Sequence, residues 1–337
     1  MSTDLQDLQS AWRALSGPNE EEGWRTIPIT TNAPCRVLAG RRAPGNEEAV
    51  IIGLNRIASL PASQLPQGQG FEVVKLPTSK AGSREALLAL ARRPSGSLEL
   101  FTSMAEDVIS LLEASPDDAE DRLFIKFLSR IRAWQDFMDH HRDGVLSAES
   151  EQGLFGELVT LKALIEAGMH SRSALEAWQG PDRGLHDFII GNGAIEVKAA
   201  LTTGQFLVTI SSLDQLDDRL RHPLYLATVR LALDEAGHTL PGMAELVRES
   251  VGQNEALQEL LDVRLLRAGL LPMSFDRYSR RFRLLSLSLL PVDGSFPRLT
   301  RAEVHHAIRE VTYKLDLDMA GATGTTMGGA LSTLGAI

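Results

Sequence analysis

The sequence predicts an α/β protein (α+β, with a mixed sheet) that is built from two domains. Residues 35–103 contain four β-prone runs separated by turns rich in Gly, Pro and Asn. In residues 105–138, apolar side chains recur every three or four positions, which is the period of α-helices. Beyond residue 147, helical and extended patterns follow one another along the chain. A length of 337 residues allows two domains of ordinary size, each with its own hydrophobic core.

The composition excludes several classes of protein. No apolar run approaches the roughly 18 uninterrupted residues of a membrane helix. The first fifteen residues are amphipathic and acidic, unlike a secretory leader, and Cys35 is the only cysteine. We therefore expect a cytoplasmic protein without disulfides and without a membrane association. A net charge of −10 argues against binding nucleic acid over the whole surface, but it is compatible with a local basic groove.

The first domain is predicted to span residues 1–140 and to be rich in β-strands. A short helix is expected at 5–15, and the polar stretch 139–152 is the expected domain boundary. The predicted strands are 35–42, 48–55, 71–77 and 97–103, and the predicted core helices are 105–115 and 121–138. An antiparallel β domain that ends in core helices follows from this order.

The second domain is predicted to span residues 141–320, followed by a flexible, Gly/Thr-rich tail at 321–337. Its first helix has Ser147 as a candidate N-cap and ends at Gly168. The other predicted elements are a hairpin at 186–201, strands at 205–211, 223–233, 281–290 and 311–317, and helices at 212–220, 241–268 and 301–308.

Glu157 lies on the apolar face of the first helix of this domain. At about 100° per residue, it falls within the helical stripe that contains Leu154, Leu161, Leu164 and Ile165. A carboxylate on an apolar helix face needs a partner, whereas one on the opposite face would need none.

The hairpin HDFIIGNGAIEVKAAL contains three charged residues in an otherwise apolar segment. Because side chains alternate between the two faces of a strand, Glu196 and Lys198 share one face. A turn at Asn192-Gly193, the favoured type I′ pair, sets Asp187 opposite Lys198, and a turn at Gly191-Asn192 sets it opposite Glu196. In both registers the three charged groups share one face.

Acids gathered in this way would repel one another. Two carboxylates about 5 Å apart repel by roughly 3 kcal/mol at an effective dielectric constant of 20. Three acids (−3) and Lys198 (+1) leave a formal charge of −2, which one divalent cation neutralises. Oxygen ligands suit Mg²⁺ or Mn²⁺, a cation of this kind polarises a phosphoryl oxygen, and a nearby ammonium orients the attacking water. The sequence therefore predicts a metal-dependent site for hydrolysis.

Two alternatives compete with this interpretation. The charged residues of the hairpin could form a cross-strand ion pair on a solvated sheet face, although the acid on the preceding helix argues against it. The literal Pro-Asp pair is Pro181-Asp182, which reads as a turn and lies too far before Glu196 for a short hairpin. Asp187 is therefore favoured over Asp182.

The pattern of a helix acid, then Asp, eight residues and Glu-Val-Lys resembles the PD-(D/E)XK nuclease superfamily. More narrowly, a bacterial family of PD-(D/E)XK members is similar over most of residues 5–318, on the segments GLFGELVTL, WQGPDRGLHDF, IEVKA, ISSLDQL, FPRLTRAEV and VTYKLDL. The resemblance implies a restriction-endonuclease-like α-β-β-β-α-β core and a Mg²⁺-dependent DNA endonuclease. Such proteins are often encoded near helicase-like ATPases and methyltransferases in phage-defence or restriction clusters.

By position, the resemblance assigns a role to each candidate residue. Glu157 takes the role of the helix acid, Asp187 and Glu196 are metal ligands, Lys198 is the motif lysine, and Gln215 is an auxiliary polar residue.

Other candidates come from the residues themselves. His186 is a candidate to line the site, although a histidine at a strand start more often packs or lies on the surface. The cluster DRYSRRFR offers phosphate contacts through Arg277, Arg280, Arg281 and Arg283, with a solvated loop as the alternative.

The favoured hypothesis is a nuclease domain preceded by a β-rich domain that contacts DNA or a partner. The expected partners are DNA, helicase-like ATPase and methyltransferase subunits of a defence system, and a second copy of the chain. The alternative is a catalytically degenerate fold retained as a DNA-binding or scaffolding subunit, for which the acidic balance and the long N-terminal domain argue. An intact site would bind Mg²⁺ or Mn²⁺, and a pure scaffold would bind neither.

Overall fold

The structure, a computed structural model, describes residues 5–17, 22–29, 31–55, 61–76, 85–140, 145–182, 184–202 and 204–337. The chain forms two compact units, Met1–Arg142 and Asp143–Ile337. The division lies beside the boundary expected between residues 140 and 141, although residues 141–144 are outside the described residues.

The first unit contains an antiparallel sheet of five strands in the order β1-β2-β3-β5-β4. Its strands are β1 (Gly23–Pro28), β2 (Arg36–Ala43), β3 (Glu47–Leu54), β4 (Phe71–Leu76) and β5 (Ala86–Arg92). Its helices are α1 (Leu5–Ala14), α2 (Leu98–Glu113) and α3 (Glu120–His140). The predicted helix at 5–15, three of the predicted strands and the two core helices are confirmed.

The predicted strand at 97–103 is wrong, because these residues begin α2. The Ser97 side chain accepts a hydrogen bond from the Leu100 amide, and Glu99 lies in the first helical turn, as is typical of a helix start. Strand β5 was missed because ALLALAR is a continuous apolar run, whose periodicity does not distinguish a strand from a helix.

The second unit contains a mixed sheet of four strands in the order β10-β9-β7-β6 and a separate antiparallel pair, β11-β8. Strand β7 is antiparallel to β6 and parallel to β9, and β9 is antiparallel to β10. The strands are β6 (Phe188–Ile190), β7 (Gly193–Leu201), β8 (Leu207–Ile210), β9 (Leu224–His238), β10 (Phe282–Pro291) and β11 (Tyr313–Asp316). The helices are α4 (Ala148–Glu166), α5 (Ser171–Ala177), α6 (Leu240–Val251), α7 (Glu255–Arg267) and α8 (Met327–Leu334).

Both faces of β7 are covered by side chains. Ile195 and Val197 pack in a core that includes Leu158 and Leu161 of α4, whereas Ala194 packs in a second core with residues of β8 and β9. Each fully buried Leu, Ile or Phe contributes roughly 1.5–3 kcal/mol. A charged residue in the middle of β7 is therefore held inside the protein.

Three expectations for this unit are wrong. Residues 212–220 form turns instead of a helix, since Asp217 accepts hydrogen bonds from the backbone and the guanidinium of Arg219. Residues 301–308 also form turns, because nearly all of them are exposed and no apolar helix face is available to bury. The expected flexible tail contains α8, whose Ala330, Leu331 and Leu334 are buried.

The other predicted elements of this unit are present. Ser147 accepts a hydrogen bond from the Ser150 amide as the N-cap of α4, and Gly168 follows its last turn with φ +105°. The predicted helical stretch 241–268 forms α6 and α7. No helix in the described part of the chain is long and apolar enough to cross a lipid bilayer.

Candidate functional site

The β6-β7 hairpin has the second of the two expected registers. Ile190 pairs with Gly193, so the turn is Gly191-Asn192 and Asp187 is placed opposite Glu196. Gly191 has φ +57°, which a residue with a side chain rarely adopts. The favoured Asn192-Gly193 turn is wrong because Gly193 is a strand residue, at which a Cβ atom would lie 2.4 Å from both a side-chain atom of Leu334 and the carbonyl oxygen of Pro223.

Asp187 is attached to β7 by its side chain. Its Oδ2 accepts a hydrogen bond of 2.7 Å from the amide of Val197, one residue beyond Glu196. Loss of solvent raises the pKa of Asp187, and the Val197 amide and the charge of Lys198 only partly oppose this. The hydrogen bond therefore fixes the position of the carboxylate, and burial raises the free energy of its ionised form.

Glu196 and Lys198 lie on the same face of β7, as the alternation of side chains predicts. The Lys198 ammonium donates a hydrogen bond of 2.8 Å to Glu196 Oε1. Glu196 is only 3% exposed. Burial and the nearby charge of Asp187 raise the pKa of Glu196 to about 8, so the single ammonium does not compensate for them.

Glu157 reaches this group from helix α4. The helix passes close to β7 at Gly156, where a Cβ atom would lie 2.5 Å from that of Ala199. The next residue, Glu157, accepts a hydrogen bond of 2.7 Å on Oε2 from the indole of Trp178. Burial, then the charge of Asp187 and more weakly that of Glu196, hold the pKa of Glu157 well above its ordinary value despite the indole and Lys198.

The structure thus places Glu157, Asp187, Glu196 and Lys198 close enough for their charges to affect one another's pKa values. If all were ionised, three acids and one lysine would leave an excess of negative charge in a largely buried place, and the pKa values of all three acids are therefore raised. A divalent cation would relieve this repulsion.

The predicted three-carboxylate ligand set is not preformed. Within the described residues, no group of three or more His, Cys, Asp or Glu side chains is arranged to hold a metal ion. The donor set nevertheless fits Mg²⁺, because that ion is usually held by one or two carboxylates and completes its shell with water and phosphate oxygens. Asp187 and Glu196, which face each other across the hairpin, are the residues that fit as ligands.

The auxiliary candidates have other contacts. His186 is 1% exposed, and its Nε2 lies 3.1 Å from the carbonyl oxygen of Gln215. Burial lowers the pKa of His186. The Gln215 side chain accepts a hydrogen bond from the Ser211 amide within a turn. Both residues therefore hold the segment that follows β8, and their direct participation in chemistry stays a prediction.

Three of the four arginines proposed to contact DNA already bind protein groups. Arg280 forms an ion pair with Glu151 at 2.6 Å, Arg281 donates to the carbonyl oxygen of Gly237, and Arg283 pairs with Asp234 at 2.7 Å. Arg277 is exposed at the end of a short 3-10 turn. Contact of this cluster with DNA stays a prediction.

Asp182 and Trp178 complete the surroundings of the acids. Asp182, of the literal Pro-Asp pair, forms ion pairs with Arg264 and Arg267 of α7, whereas Asp187 bonds to β7. Sequence reasoning missed Trp178, because an indole that reaches a carboxylate 21 positions away leaves no local pattern.

The second unit is a mixed α/β unit with an acid on a helix, followed by Asp and Glu-x-Lys on a hairpin. This arrangement is consistent with the class of proteins that have a PD-(D/E)XK-like α+β fold. The chain belongs to the family described as "Putative PD-(D/E)XK family member" (DUF4420), whose model matches residues 8–318. Members of this superfamily are usually nucleases. No curated protein matches the chain, and no solved structure matches it.

Proposed function

We propose that this protein is an endonuclease that hydrolyses DNA phosphodiester bonds with Mg²⁺ or Mn²⁺. The observation that carries the proposal is the gathering of Glu157, Asp187 and Glu196 beside Lys198. The positive charge and the hydrogen-bond donors near these acids do not offset the cost of burying them, so all three pKa values are raised. Acids that only stabilise a fold are normally paired, whereas sites that bind cations keep an excess of negative charge.

The order of elements along the chain is compatible with the proposal. From α4 onward the chain runs α4-α5-β6-β7-β8-β9-α6-α7-β10, a mixed α/β order consistent with a PD-(D/E)XK-like α+β fold. In this order Glu157 is on the first helix, Asp187 precedes the first strand, and Glu196 and Lys198 are on the second strand.

Each residue has a role that its contacts support. Asp187 and Glu196 would hold the cation, and Glu157 would bind it directly or through water. A bound Mg²⁺ supplies Lewis acidity at the phosphate and increases the acidity of water. The Lys198 ammonium donates to Oε1 of Glu196, so Oε2 faces away from this hydrogen bond and is the candidate ligand atom. The Lys198 side chain is 16% exposed to solvent, so a substrate or a water molecule can reach it. We assign Lys198 the orientation of the attacking water.

We place this activity in the cytoplasm, within a phage-defence or restriction system. The proposed partners are DNA, a helicase-like ATPase and a methyltransferase, and a second copy of the chain is a further proposed partner. The sequence has no Gly-rich Walker loop, so an ATP-driven step would come from a partner.

The test is cleavage of plasmid DNA with Mg²⁺, by the protein alone and together with the products of neighbouring genes. Lys198→Ala and Glu196→Ala are expected to lower the rate at least a hundredfold. Lys162→Ala is the matched control, because Lys162 also pairs with a glutamate, Glu166, but on the exposed side of α4. Equal cleavage by wild type and Lys198→Ala would eliminate the assignment. Absence of metal binding and of cleavage, with co-purification of a helicase, would favour the scaffold.

A further inference from the structure

One short turn, residues 178–182, contacts two of the three acids. The indole of Trp178 donates to Glu157 Oε2 at 2.7 Å. The amides of Gln179 and Gly180 donate to the backbone carbonyl oxygen of Asp187 at 2.7 and 3.2 Å. The turn therefore connects the helix acid on α4 with the acid that precedes β6.

The same turn is anchored to α7. Asp182 forms ion pairs with Arg264 and Arg267, the latter at 2.9 Å. Arg264 also donates to the carbonyl oxygen of Trp178 at 2.9 Å. Trp178 is fully buried and forms an isolated β-bridge with Phe188, so neither end of the turn is free to shift.

We infer that Trp178 is a positioning residue, which fixes the carboxylate of Glu157 relative to Asp187. The inference rests on the proposed function, because it concerns the same site. The indole hydrogen bond to Oε2 sets the orientation in which the carboxylate of Glu157 faces a cation or a water molecule. The Pro-Asp pair at 181–182 belongs to the anchor of this turn and is not part of the ligand set.

Removal of the donor tests the inference. In Trp178→Phe, the ring is retained and the N–H is lost, and we expect Mn²⁺ to bind 10–100-fold more weakly by calorimetry, as for other partners of metal ligands. Trp134→Phe is the matched control, because the Trp134 indole also donates to a carboxylate, that of Asp107, at 2.8 Å in the first unit. The control should bind Mn²⁺ like the wild type.

A second variant displaces the acid and keeps the indole N–H. At Gly180 a Cβ atom would lie 2.0 Å from Glu157 Oε2 and 3.1 Å from the indole nitrogen of Trp178. Gly180→Ala should therefore displace the carboxylate and weaken Mn²⁺ binding with little change in thermal stability. If Trp178→Phe does not fold, this variant decides the question.

A double-mutant cycle separates positioning from a general structural role. In a Glu157→Gln background, Trp178→Phe should weaken Mn²⁺ binding no further. In the metal-free protein, the indole ¹⁵N–¹H resonance of Trp178 should shift in Glu157→Gln, and those of the other tryptophans should not. Absence of Mn²⁺ binding by the wild type would refute the proposed function. Wild-type affinity in both Trp178→Phe and Gly180→Ala would overturn the inference alone.

Discussion

The two units of the protein both hold buried acids on a sheet, but they compensate them differently. In the first unit, Glu48 is 4% exposed and pairs with Arg41 at 2.9 Å and with Arg92 at 2.6 Å. In the second unit, Glu196 is similarly buried at 3%, has Lys198 as its ion-pair partner and lies near another acid.

The pKa values of Glu72 and Glu196 follow this difference, whereas burial raises the pKa of Glu106, a helix residue of the first unit, to about 7. Although partial burial opposes it, hydrogen bonds from Arg42 and Arg93 lower the pKa of Glu72 in the first unit. In the second unit, burial and Asp187 raise the pKa of Glu196 to about 8. Burial of a carboxylate is therefore not evidence of a functional site. The balance of charge around it distinguishes a structural ion pair from a site that needs a cation.

The largest expected effect is an opposite response to pH of two acids, Glu196 in the second unit and Glu72 in the first, in the metal-free protein. Because the folded pKa of Glu196 is raised, its contribution to stability is present below the ordinary value of 4.5 and is lost as the pH rises through about 8. At about 1.4 kcal/mol per pKa unit, the loss is up to about 5 kcal/mol. The contribution of Glu72, whose pKa is lowered, is instead lost in acid.

Urea denaturation from about pH 3 to about pH 9, with hydrogen exchange to assign each transition to a unit, measures this difference. Glu196→Gln is the control and should reduce the pH dependence of the second unit, and the raised pKa values of Glu157 and Asp187 account for the remainder. A second unit that gains stability between pH 5 and 8 would show that its acids are fully compensated.

Neutralising one acid in each unit should change stability in opposite directions. Glu48→Gln leaves two arginines without their buried partner, so we expect the free energy of unfolding of the first unit to fall by about 3–5 kcal/mol. Glu196→Gln at pH 8 should raise that of the second unit, because it removes a carboxylate whose ionisation is unfavourable. The comparison breaks down if both variants lose stability to the same extent in denaturation at pH 8.

Added cations should stabilise only the second unit. At a Mn²⁺ concentration 100-fold above the dissociation constant, linkage predicts a gain of about 2.7 kcal/mol. The gain should be absent in Asp187→Asn, while the first unit is unchanged in both proteins. Equal stabilisation of the two units would indicate a general ionic effect.

The smallest expected effect concerns the arginines. Arg277→Ala should reduce the salt dependence of DNA binding by about one counterion and change stability by less than about 0.5 kcal/mol. Salt titrations of DNA binding measure it, and the exposed Arg172→Ala on α5 is the control. Arg280 is a poorer probe, because it is paired with the buried Glu151 and its loss would also lower stability. An unchanged salt slope in Arg277→Ala would remove this residue from the DNA interface.

Local and periodic signals predicted much of the second unit. Ser147 marked the start of α4, and the alternation of side chains placed Glu196 and Lys198 on one face of β7. Because these signals depend on helix capping and strand geometry, they remain valid without knowledge of the tertiary structure. The apolar face on which Glu157 lies predicted that this acid needs a partner, and the family resemblance placed it with the hairpin acids.

Features that depend on distant contacts were not predictable. With the turn at Gly191-Asn192, Gly193 lies in β7 against Leu334 and Pro223, and these two residues are far away from the turn in the sequence. The helix expected at 301–308 has the right spacing but no surface on which to bury an apolar face. Trp178 was missed for the same reason, since its contact with Glu157 arises only once α4 and the hairpin have packed.

Helix α8 has a practical consequence for the choice of expression boundaries. It packs against α4 and β10, and Leu334 lies against the hairpin at Gly193. The family match ends at residue 318, before this helix begins. A shortened polypeptide ending there would lose the support beneath the hairpin, so its inactivity would reveal a collapsed scaffold and would be uninformative about the chemistry of the acids.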